Sequence, residues 1–241
     1  MKKMKFFKLA AAATALMAGA GAATSAHAEG TITGNVTIAS DYVFRGISQT
    51  QGGPAIQGGF DYANGIFYAG TWASNVASST ISSGGIEMDL YAGVAPTVGP
   101  VALNFGVIGY FYPGADDEGA ETNYYEAKAS ASFSPIESLT LTGSLFYSPE
   151  FSLELGEAIY YELAAGFAVS DTIGLKASIG EQDIDEISDS YTTWSVGGTY
   201  AYSGFTFGLT YSDTDDAFEA GAAVEETDSD EAITFSISRA L

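Results

Sequence analysis

The sequence predicts an all-β fold, a transmembrane antiparallel up-and-down β-barrel of about twelve strands. Three observations predict it. From Thr31 to Leu241 the chain divides into runs of about ten residues in which apolar and polar positions alternate. Almost every charge inside those runs falls on the polar face. The connections also alternate, short then long, as they do when hairpins share one rim of a barrel and longer loops share the other.

The first strand is predicted over 31–47. It puts Ile32, Gly34, Val36, Ile38, Tyr42 and Phe44 on one face, against Thr33, Asn35, Thr37, Asp41 and Arg45. The second, 54–62, groups Ile56, Phe60 and Tyr62. Asn64-Gly65 follows, a dipeptide whose tolerance of positive φ makes it the strongest short hairpin signal in the chain. The third strand, 66–74, carries Tyr68 and Trp72 on one face, and a Ser-rich loop runs to Gly84. The fourth, 85–95, sets Ile86, Met88, Leu90 and Val94 against Glu87 and Asp89. A Pro96–Pro100 turn leads to the fifth, 101–112, and an acidic loop over 113–121 follows.

The sixth strand, 122–133, opposes Tyr125, Ala127 and Phe133 to Glu126 and Lys128, and Ser134-Pro135 is expected to turn the chain. The seventh, 139–148, alternates leucine with threonine and serine. The eighth, 158–169, places Ile159, Tyr161, Leu163 and Phe167 opposite Glu162. The ninth, 173–180, sets Leu175 and Ile179 opposite Lys176, and an acidic loop over 181–190 follows. The tenth, 191–200, carries Trp194 and Val196; the eleventh, 205–212, carries Phe205, Phe207 and Leu209. The longest loop, 213–230, precedes the last strand, 231–241. An even count puts both barrel termini on one rim, with the turns near Asn64, Pro96, Pro135, Asp171 and Ser203.

Period two does not by itself say which face meets the interior. A soluble β-sandwich or lipocalin-like barrel would turn the apolar face inward. Lipid outside is favoured here because the strands have the length a tilted membrane strand needs. Aromatic residues recur near strand ends on the apolar face, where membrane girdles sit. Charges of both signs stand in mid-strand on the polar face, where lipid would penalise them and a wet lumen tolerates them. Arg239 is the exception on the apolar face, and it lies close to the chain end.

The first residues read as an address. Lys2, Lys3, Lys5 and Lys8 precede an Ala-rich apolar stretch over 9–23, and Ala26-His27-Ala28 fits the small-x-small cleavage rule. The stretch is shorter than the roughly 20 residues a spanning helix needs. Residues 1–28 are therefore expected to be a cleaved signal peptide and 29–241 the barrel, delivered to the outer membrane of a Gram-negative bacterium. Four of the eight Lys+Arg would leave with the signal while all 30 Asp+Glu remain, which gives the mature chain a net charge of −26. Such a surface does not bind nucleic acid phosphates.

The only histidine, His27, would leave too, and there is no cysteine. Ser-His and Cys-His nucleophilic schemes, zinc sites and copper sites therefore lack their residues, so an enzyme is not expected and no cofactor is expected. Glu87 and Asp89 share a strand face, but that spacing arises by default in a polar lumen. Asp183–Glu186 and Asp213–Asp216 supply hard oxygen ligands without the glycine and distal glutamate of an EF-hand loop. They are expected to be solvated tips that bind divalent cations weakly.

The candidate pore-lining residues are Asp41, Arg45, Glu87, Asp89, Glu126, Lys128, Glu162 and Lys176. With Asp61 the proposed interior holds six acids and three bases, so a narrow, weakly cation-selective pore for small solutes or ions is the expectation. Eight strands leave an interior filled by side chains and sixteen leave an open channel. Twelve lies between, which keeps open a non-conducting barrel whose acidic loops serve adhesion or envelope structure. The expected surroundings are outer-membrane lipid and lipopolysaccharide. No segment stands out as the long inward loop of larger trimeric porins, and a monomer is expected.

Several segments carry a family resemblance. Ser40-Asp41-Tyr42-Val43-Phe44-Arg45-Gly46-Ile47-Ser48 is the most specific. Glu87–Gly93, Tyr110–Gly114, Asn123–Glu126, Tyr160–Glu162 and Trp194–Gly197 follow in order. Together they resemble the TorF family of proteobacterial porins over nearly the whole mature chain. The resemblance implies an outer-membrane barrel with a channel role and poorly defined substrates. Leu241 stands where such chains usually finish on an aromatic.

Overall fold

The computed structural model describes residues 30–77, 85–115, 121–187, 190–215 and 231–241. Residues 1–28, expected to form the signal peptide, lie outside them, as do parts of the expected loops. Twelve long strands make one closed antiparallel barrel: β1 Thr31–Ala39, β2 Ala55–Asn64, β3 Phe67–Asn75, β4 Ile86–Val94, β5 Val101–Phe111 and β6 Tyr124–Ile136. They continue as β7 Leu139–Ser148, β8 Ala158–Ala168, β9 Ile173–Ile184, β10 Tyr191–Tyr202, β11 Phe205–Asp215 and β12 Ala232–Ala240. Each strand pairs with its sequence neighbours, and β1 pairs with β12 from Asn35↔Ala240 to Ala39↔Ser236, which leaves no free edge. No helix among the described residues is long and apolar enough to cross a membrane.

The usual sense of burial is inverted. Ile32 is 73% exposed, Leu163 68% and Ile233 70%, while Glu87 is 2% exposed and Asp89 0%. This decides the question that period two left open: the apolar face looks out and the charged face looks in. A belt of exposed Ile, Leu, Val and Phe around a polar interior is the arrangement a barrel adopts in lipid.

Hairpin chemistry sets the short rim. Gly65 takes φ +62° at the first loop position between Asn64 and Phe67, and Ser203 and Gly204 take φ +52° and +82° between Tyr202 and Phe205. Positive φ at these positions turns a two-residue loop with the twist of the flanking strands. The turn expected at Ser134-Pro135 falls instead at Glu137-Ser138, because β6 runs on through Pro135 to Ile136. A register shift between Leu139 and Leu141 takes up the proline, which offers no N–H to the ladder. Strands β9, β10 and β11 also continue two to four residues past their expected ends.

The largest departure from the sequence reading is at the first strand. It stops at Ala39 rather than running to Ile47, and the chain from Ser40 to Gly53 turns into the barrel. Within it Val43–Phe44 and Ile47–Ser48 form a two-stranded ribbon turned at Arg45 and Gly46, which take φ +48° and +83°. Left-handed residues in succession cannot continue a strand. The Tyr42, Phe44 alternation that imitated one belongs to this ribbon. The chain therefore does have an inward loop, contrary to the expectation from sequence.

Candidate pore constriction

The ribbon is tied at its root by Asp41. One carboxylate oxygen accepts from Ser48 Oγ at 2.7 Å and from Thr50 Oγ1 at 2.8 Å. The Tyr42 N–H in turn donates to Thr50 Oγ1, and Gln49 N–H donates to the Tyr42 carbonyl. Asp41 thus folds the loop rather than standing on the strand wall where the sequence reading put it. Ala77 N–H donates to the Gln49 carbonyl at 2.7 Å and joins the loop to the end of β3.

From that root the ribbon crosses the bore. Tyr42 Oη donates to Glu87 Oε1 at 2.9 Å, and its ring meets Trp72 edge-on at 5.3 Å. Burial, then the Glu87 and Asp89 charges, push the Tyr42 phenol well above its ordinary pKa, so it stays a neutral donor. At the tip, Arg45 Nη2 forms a 2.7 Å ion pair with Glu126 Oε2, and Nη1 donates to Gln182 Oε1 at 2.7 Å. The Gln182 amide is oriented for this because its NH2 donates to the carbonyls of Ile159 and Asp183. The guanidinium lies 4.4 Å from the Tyr160 ring centroid, 4.7 Å from Phe44 and 5.0 Å from Phe146. Burial works against its charge, and Glu126 together with Tyr110 and Tyr124 more than offsets burial, so its pKa lies above the ordinary arginine value. A planar, delocalised cation is the residue that fits a cage of rings and a carboxylate together.

Glu126 also accepts from Tyr110 Oη at 2.9 Å, and Tyr110 stacks on Tyr124 at 4.4 Å. Beyond Arg45, Gly46 lies so close to Thr193 of β10 and Thr214 of β11 that an added Cβ would collide with both. Ile47 packs on Tyr191. The ribbon therefore touches the wall from β3 round to β11.

Beside the ribbon is a cavity of about 310 Å³. Asp41, Arg45, Lys128, Glu162 and Lys176 line it, with threonine and serine hydroxyls of β7 and β9–β12 facing them. Glu87, Asp89 and Glu126 are buried on the wall behind the ribbon. The eight residues singled out from sequence are thus inside the barrel, but in two groups. Sequence alone does not mark Phe44, Phe146, Tyr160 and Gln182, which enclose Arg45, or Tyr110, which bonds Glu126, or Tyr42 and Trp72, which pair nearer the ribbon root. Gln182 lies beyond Gly180, the expected end of the ninth strand, and inside the strand as it forms. The acidic segments read as loops begin inside strands: Asp183 lies in β9 and Asp213 in β11, while Asp216 lies outside the described residues. Among the described residues no three His, Cys, Asp or Glu stand together so as to hold a metal ion.

A closed twelve-stranded barrel with a polar interior, an apolar belt and a loop folded into the bore has the fold of outer-membrane porins. The chain belongs to the Gcw_chp family, bacterial proteins of unknown function, whose model matches residues 21–241. It is similar to the KdgM porin over 86% of this chain and 97% of that one, at 6% identity and a TM-score of 0.59. A KdgM porin in complex with disordered oligogalacturonate matches at 6% identity and 0.57, covering 87% and 96%. The COG4313 outer membrane channel from Pseudomonas putida F1 matches at 12% identity and 0.53, covering 89% and 96%. No curated protein matches the sequence.

Proposed function

We propose that this chain is an outer-membrane porin of a Gram-negative bacterium, exported by its signal peptide. It passes small solutes or ions passively through a narrow, weakly cation-selective pore. The observation that carries this reading is the polar cavity inside a closed barrel whose outer face is apolar. Lipid explains the outside, and only water or a polar solute suits the hydroxyls and charges inside. The ordered TorF-like segments and the porin fold agree with it. Asp41, Arg45, Glu87, Asp89, Glu126, Lys128, Glu162 and Lys176 set the charge of the path, and they and Asp61 leave three excess negatives. Oligogalacturonate, named with one KdgM porin, is a polyanion. With Arg45 committed to Glu126, two interior lysines are a poor match for such a substrate. The barrel stands as a monomer in lipid and lipopolysaccharide, with divalent cations held weakly at acidic loops.

One observation favours a second reading. The ribbon spans the bore and wedges Gly46 against β10 and β11. Held there permanently, it would make a non-conducting barrel that displays acidic loops for adhesion or envelope structure. Single-channel recording of the refolded mature chain in a planar bilayer separates the two. Stepwise currents with a cation-biased reversal potential are expected. Silence from heat-modifiable, β-rich protein would favour the closed barrel, and an anion-biased potential would overturn the assigned selectivity.

A further inference from the structure

Four acids surround the ribbon, and three are supplied with donors. Asp41 has Ser48 and Thr50, Glu87 has Tyr42, and Glu126 has Arg45 and Tyr110. Asp89 has none: it is 0% exposed, and neither carboxylate oxygen has a hydrogen-bond partner among the described residues. Glu87 and Glu126 act on it with like charge, and Arg45, the cation of the ribbon tip, is already paired. A buried carboxylate without a donor or counter-charge is among the costliest groups a fold can hold, so it is neutralised, either by a proton or by a bound cation.

The neighbours of Asp89 indicate what kind of compensation fits. In register it stands between Trp72 of β3 and Tyr110 of β5, and residues paired across antiparallel strands project side by side. Both rings are buried, and both border the lumen cavity. Beside the unpaired carboxylate stand two aromatic rings, and the carboxylates of Glu87 and Glu126 are near enough to add negative potential. A divalent ion asks for several hard oxygens, which this position does not assemble. A weakly hydrated monovalent cation needs fewer anionic ligands and gains from ring faces.

We propose that Asp89, flanked by Trp72 and Tyr110, binds a monovalent cation of the potassium or ammonium class behind the inward ribbon. The proposal rests on the cation-pore reading and gives it a specific resting place. Its test needs no conductance, so the two can fail separately.

The mature chain has two tryptophans, Trp72 and Trp194. Trp194→Phe, on the outer face, leaves Trp72 as the sole indole beside the site. Thallium(I), a heavy-atom quencher of potassium-like size, is titrated into this refolded variant at constant ionic strength. N-methylglucamine nitrate serves as the balancing salt. Saturable quenching is expected, displaced by potassium nitrate and lost in Trp194→Phe/Asp89→Asn. Quenching that rises linearly and ignores potassium would overturn the proposal, as would quenching undiminished by Asp89→Asn. If the double variant does not regain heat-modifiable mobility, displacement by potassium in the single variant decides alone: its absence overturns the site.

Discussion

Arg45 concentrates the energetics of the bore in one side chain. Its ion pair with Glu126 is buried at both ends, with side-chain exposures of 6% and 1%. Removing one partner of such a pair strands a buried charge. Arg45→Ala should therefore destabilise the barrel by about 3–5 kcal/mol, read from urea unfolding in detergent. Arg45→Lys should recover only part of the loss, since an ammonium cannot satisfy Glu126 and Gln182 in the plane of one fork. Arg45→Met with Glu126→Leu should be much less harmful than either single change, because no unpaired charge remains. Equal destabilisation by the double and single variants would mean that the cage holds by packing rather than by charge.

At the scale of elements, the ribbon is the part that distinguishes this barrel from an open tube. Its tip position admits no side chain: Gly46 has φ +83° and meets Thr193 and Thr214. Gly46→Val should lift the tip from β10 and β11 while leaving the strands paired. Larger single-channel steps are expected, with heat-modifiable mobility retained; unchanged steps would mean that the ribbon does not limit flow. Here the limits of the sequence become physical. The twelve strands were legible because each buries or exposes alternate residues against two bulk phases, and that pressure writes period two directly into the chain. The ribbon was not legible. Tyr42 and Phe44 keep the same alternation for a different reason, one ring facing Trp72 and the other Arg45. Only Gly46 after Arg45 marked a break, and a lone glycine in a strand pattern is a weak signal. The interior charges were found as a set, since a polar face exposes them. Their partition into a caged group and a cavity group depends on where one loop lies, which no periodicity encodes.

For the whole molecule, the outward belt is the property that lipid tests. Leu163, midway along β8 and 68% exposed, lies where a charge would meet the middle of the apolar band. Leu163→Arg should cost about 2–4 kcal/mol in lipid, measured by reversible unfolding in vesicles. No comparable loss is expected for Leu241→Arg, at the rim, and equal losses would argue against a bilayer around this belt. The agreement with porins at 6% identity and a TM-score of 0.59 shows how few residues such a belt and lumen prescribe individually. The crossing ribbon carries one more consequence, for the order of assembly. Arg45 meets Glu126 at a separation of 81 residues and Gln182 at 137, and Gly46 rests on strands later still. These partners do not exist as a surface until β6 to β11 have come together, and contacts so distant in sequence close late. A segment made before eleven of the twelve strands is thus seated last, and an Arg45 locked in its cage is a sign that the wall around it is complete.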